Sequence, residues 1–100
     1  MKNQHWKSQF LKIAKQEDSD AVFAPRHFFD NDTAIKYLNS LEKIGADITL
    51  NTNNMEIIYI KLPTELKDRE KILMHILTSI PLPTDVYHDQ KKNILELCWS

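Results

Sequence analysis

The chain has 100 residues, 42% of them hydrophobic and 27% charged, with a formal net charge of −1. That is enough for one domain around one core, and the balance excludes intrinsic disorder. A single glycine excludes the glycine-rich loops that cradle phosphates in nucleotide-binding proteins, and a single cysteine excludes an intrachain disulfide.

A first helix is predicted over about residues 4–16. Trp6, Phe10 and Ile13 fall at i, i+4 and i+7 there, with Leu11 and Ala14 alongside and lysines on the rest of the surface. "EDSD" closes it as a loop. "FAPRHFFD", residues 23–30, then crowds three phenylalanines, an arginine and a histidine around one proline. Proline lacks the N–H that a central strand needs, so a strand is predicted to start after it, over 26–29. Alternation would put His27 and Phe29 on one face, Arg26 and Phe28 on the other.

A second helix follows, with Asp30, Asn31 or Asp32 as N-cap and Gly45 as the left-handed C-cap. Ala34, Tyr37, Leu38 and Leu41 form its inward face. "ADITLN", the turn "NTNN" and "MEIIYIKL" read as an antiparallel hairpin with Ile48 and Leu50 on one side. Both sides of "IIYI" are apolar, which places that strand inside the sheet. Pro63 and a capping Thr64 open a third helix, whose buried face is predicted as Leu66, Leu73, Ile76, Leu77 and Ile80, and Pro81 and Pro83 stop it. "TDVYH", the turn "DQKKN" and "ILELCW" complete the chain, with Leu95, Leu97 and Trp99 sharing a face.

The expected fold is therefore α+β: a helix, then β-α-β-β-α-β, then one added strand. The inner set is the split β-α-β, or ferredoxin-like, arrangement with an antiparallel sheet. The expectation is one domain over 1–100, divided into an N-terminal helix and acidic loop (1–20), the core (21–90) and the C-terminal strand (91–100).

Part of the chain also resembles a known family. Asp18, Asp20, Pro25, Arg26, His27, Phe28, Ala34, Leu41 and Gly45 stand where the bacterial regulators of ribonuclease E activity, type B, and their wider relatives place comparable residues. The likeness covers about the central third. Where those proteins often carry Tyr-Asp-Gly-Trp this chain has "VYHDQ", with Tyr87 and Asp89 nearest in kind. The resemblance implies a ferredoxin-like fold and a non-catalytic protein that binds another protein, for the named regulator an RNA-degrading enzyme.

No catalytic constellation stands out. The four histidines lack metal-ligand spacing, Cys98 has no second thiol nearby, and His88 and Asp89, adjacent in a strand, would point to opposite faces. Neither an enzyme, a metal nor a cofactor is expected. Charge is uneven: residues 1–16 carry Lys2, Lys7, Lys12 and Lys15 without an acid, whereas 17–56 hold eight acids against Arg26, Lys36 and Lys43. Arg26, His27 and Phe28 combine charge with an aromatic, as single-strand binders do, but in a net-acidic setting that phosphate disfavours. Trp6, Tyr87 and Trp99 are candidate interface anchors, with the alternative that Trp6 docks the first helix and Trp99 closes the core.

The function expected is a non-enzymatic, protein-binding regulator, its candidate partner residues being Trp6, Arg26, His27, Phe28, Tyr87 and His88. A single-stranded nucleic-acid-binding module and a small immunity or inhibitor protein are the alternatives. Either a monomer or a homodimer through an edge strand is expected. The opening "MKNQHWKSQFLKIAK" breaks every apolar run, and "IIYI" and "ILM" fall far short of the roughly 20 residues that cross a bilayer. No signal peptide or membrane contact is therefore expected, and the cytoplasm is the expected location.

Overall fold

The computed structural model describes residues 5–100; Gln4, the start expected for the first helix, and Lys2 of the basic N-terminal stretch lie outside them. The elements are α1 (Trp6–Glu17), α2 (Asn31–Lys43), β1 (Asp47–Leu50), β2 (Ile57–Lys61), α3 (Leu66–Thr78), β3 (Asp85–Asp89) and β4 (Ile94–Cys98). One four-stranded antiparallel sheet runs in the order β1-β2-β4-β3. The expected α+β class holds, and "IIYI" lies inside the sheet, between β1 and β4. Among the described residues no helix is long and apolar enough to cross a membrane.

Local chemistry accounts for most boundaries. Asp30 caps α2, accepting at 2.8 Å from the Thr33 N–H and again from its hydroxyl, which holds the Asp30 carboxyl below its ordinary pKa. Beyond α2, Gly45 takes φ +103°, where any L side chain would be strained, and its N–H donates to the Glu42 carbonyl. Asp18 and Asn93 supply further positive-φ positions where the chain has no glycine to offer. Thr64 does not cap α3. The N-cap is Glu65, without a side-chain cap bond, while Arg69 Nε donates to the Pro63 carbonyl at 2.7 Å.

The strand expected over 26–29 is absent. Pro25, Arg26 and His27 form a tight turn in which the His27 and Phe28 N–H groups both donate to the Ala24 carbonyl, and Ala24 adopts φ +39°. N–H groups bonded within the turn cannot also donate to a ladder. The order is therefore α-α-β-β-α-β-β and not β-α-β-β-α-β within flanking elements. The C-terminal strand, expected as an addition, is central: β4 pairs with both β2 and β3. β2 and β3 run parallel with β4 between them, so β2-α3-β3 is itself a split β-α-β unit.

One sheet face carries the core. Ile48 and Leu50, Ile58 and Ile60, and Leu95 and Leu97 alternate inward and are buried beneath the helices. α2 contributes Ala34, Tyr37, Leu38 and Leu41 as expected, and α1 contributes Trp6 and Phe10. At one end Trp99 meets Phe23, Phe28 and Tyr37 edge-on, with ring centroids 5.5–5.7 Å apart, and its indole N–H donates to the Pro81 carbonyl.

In this cluster the Tyr37 hydroxyl is buried without a partner among the described residues, and burial pushes the phenol up to about 12. Tyr37→Phe removes the orphan and keeps the ring. Stability by urea denaturation is expected to stay level or rise by about 1 kcal/mol; a clear loss would mean that the hydroxyl has a partner in solution.

α3 departs most from expectation. Ile76 is buried as expected and Ile72 joins it, whereas Leu66, Leu73, Leu77 and Ile80, expected on the same face, are exposed. The stronger apolar stripe lies about 100° around the helix from the one the core uses.

Candidate functional site

The six residues expected to meet a partner do not converge. Trp6 is 1% exposed and donates its indole N–H to Glu42 Oε2 at 3.0 Å. Phe28 is equally buried, between Phe23, Tyr37 and Trp99. Both are core residues, because a large ring in the interior stabilises more than one in water. His27 bonds the Ser100 backbone carbonyl at 2.9 Å, and Arg26 is exposed at the tip of the turn. Arg26 borders an open cleft of about 550 Å³ with Asn53, Asn54, Met55 and Glu56, a lining of mixed charge. Tyr87 and His88 are exposed on opposite faces of β3.

Two side-chain pairs were not legible in the sequence. His5 Nδ1 accepts from the Lys7 N–H, so its Nε2 carries the proton donated to Glu42 Oε2 at 2.6 Å. Partial burial works against the Glu42 charge, but the hydrogen bonds from His5 and Trp6, with the Lys7 charge nearby, hold its carboxyl below the ordinary value. Together these bonds tie the start of α1 to the end of α2. In the second pair Ser40 Oγ donates to the Tyr37 carbonyl at 2.6 Å and accepts from His75 Nε2 at 2.8 Å. A serine nucleophile must give its proton to the imidazole, and here the imidazole donates. The pair fastens α3 to α2.

Among the described residues, what remains open is the sheet face away from the helices. Its central row is Thr49, Tyr59, Glu96 and Tyr87, one residue from each strand. Tyr59 and Tyr87 stand two strands apart, about 9.5 Å, with Glu96 between them. The neighbouring rows hold Asp47, Lys61, Ile94 and Asp89 on one side, Ile57, Cys98 and Asp85 on the other. Four carboxylates and one lysine thus surround two tyrosines and two isoleucines. None of these side chains is buried, and Tyr87 is 64% exposed. Only Tyr87 of the residues expected from sequence belongs here. Tyr59 was missed because β2 is apolar on both faces, so periodicity alone does not show which side is open.

No family model, curated protein or solved structure matches the chain.

Proposed function

We propose that the protein is a non-enzymatic, protein-binding regulator acting in the cytoplasm, and that the open sheet face is its docking surface for a basic polypeptide segment. One observation carries this reading: Tyr59 and Tyr87 flank Glu96 on an uncovered face whose charge is predominantly acidic. A lysine or arginine laid along the row meets aromatic faces on both sides and a carboxylate below, which combines cation–π attraction with an ion pair. Ile57 and Ile94 supply apolar contact around it. The same face repels phosphate, which argues against the nucleic-acid alternative despite two rings on which bases could stack.

The fold is placed by the same reading with the split β-α-β, ferredoxin-like sheets, with the first strand of that order carried to the end. Its support is the β2-α3-β3 unit with β4 between. The family resemblance makes an RNA-degrading enzyme the first partner to test.

Affinity capture from host lysate, with and without nuclease, tests the function. A protein partner that survives nuclease and is lost on Tyr59→Ala and on Glu96→Lys is expected, each substitution weakening it by at least about tenfold. Both positions leave the β3 edge intact. Loss of every partner with nuclease would overturn the reading in favour of nucleic acid.

A further inference from the structure

β3 is an edge strand with four of its five residues exposed. On the opposite edge, α1 and α2 both pack against β1. The helix layer stops short of β3, so Val86 and His88, which continue the buried rows of Leu97 and Leu95, face solvent on the helix side of the sheet.

The flank of α3 beside them is apolar. His75, on the other flank, bonds Ser40 of α2, and α2 lies against β1. The stripe of Leu66, Leu73 and Leu77 therefore points the other way, toward β3. Ile80 and Leu82 extend it past the end of the helix, with Ile80 88% and Leu77 65% exposed. With Val86, these side chains present on the order of 600 Å² of apolar surface, at the upper end for a monomer and most of the roughly 800 Å² that each partner gives a standard interface. β3 also adds an unpaired row of backbone N–H and C=O groups.

We propose that this groove is the interface of a symmetric homodimer, formed when β3 pairs antiparallel with β3 of a second copy about a two-fold axis at Val86. An edge strand is its own complement under a two-fold axis, so one surface satisfies both the backbone and the apolar wall. The axis position follows from the end of the groove that is most apolar. α3 runs back along β2, so Leu77, Ile80 and Leu82 gather near the start of β3, beside Val86. Centring there sets Val86 against Val86 and brings both apolar clusters to the axis. A register centred on Tyr87 would oppose Asp85 to Asp89 at both ends, which like charge disfavours. The dimer is an eight-stranded sheet whose two open faces become continuous.

The test is sedimentation equilibrium of the full chain across the micromolar range. A dimer is expected, weakened at least about 100-fold by Val86→Lys and by Leu77→Lys, since each would bury an unpaired charge. Leu11→Lys on α1 should leave it unchanged. Both interface positions are exposed in one copy, and unchanged circular dichroism and melting would confirm that the variants fold. A monomer throughout, or a dimer indifferent to both substitutions, overturns the proposal. In a Cys98→Ser background, Val86→Cys should cross-link to itself under mild oxidation while Tyr87→Cys does not; the reverse pattern overturns the register.

Discussion

Replacing Phe28 by alanine is expected to lower stability by about 3–5 kcal/mol, whereas Phe29→Ala, one residue on, should change it by no more than about 0.5 kcal/mol. The two rings sit side by side in sequence and on opposite sides of the solvent boundary. Phe28 is 1% exposed and contacts Phe23, Tyr37 and Trp99; Phe29 is 88% exposed. Removing Phe28 loses the transfer energy of the ring and opens a cavity that three large aromatics, each held by its own neighbours, cannot close. For a chain of this size the melting temperature would fall by roughly 15–30 °C. Urea denaturation should show a lower midpoint at unchanged slope for Phe28→Ala and no shift for Phe29→Ala. A stable Phe28→Ala variant that loses partner binding would instead return this residue to the surface role that its arginine and histidine neighbours suggest.

This contrast shows why the stretch around Pro25 misled while other segments did not. α2 and the β1–β2 hairpin bury a single face or occupy a defined place in the ladder, so their period states where the core lies. Phe23 and Phe28 follow no period. They converge because the turn at Ala24 brings them together on Trp99, more than seventy residues away, and no local pattern encodes that contact. α3 fails for a different reason. It offers two apolar stripes, Ile72 with Ile76 and Leu66 with Leu73 and Leu77, and a sequence cannot say which one the sheet is wide enough to cover. The candidate site was half legible. Tyr87 sits in a polar strand where a lone ring draws notice, whereas Tyr59 and Glu96 share its row only through a register set by β4. The end position of "ILELC" in the chain gives no hint that it lies at the centre of the sheet.

Trp6→Ala is expected to have a comparable effect, about 3–5 kcal/mol, for a reason that joins packing to polarity. α1 is short, twelve residues, and a lone helix of that length is marginal in water. Its place depends on Trp6 and Phe10, the latter reaching Phe23 at a 6.3 Å centroid distance. Trp6 adds a directed bond, its N–H to Glu42 Oε2, beside the bond from His5. Trp6→Phe separates the two contributions. It keeps most of the apolar ring and deletes the donor, so only about 1–2 kcal/mol should be lost, because Glu42 retains His5 and reaches water. Two outcomes are distinguishable for Trp6→Ala: detachment of α1 alone, or weakening of the whole domain. The second is expected, since Trp6 and Phe10 belong to the same contiguous core as the sheet residues. Amide exchange decides between them. Faster exchange confined to α1 would mean a separate local unit, while an equal loss of protection in α1, α2 and β2 would show that the helix is part of the cooperative fold.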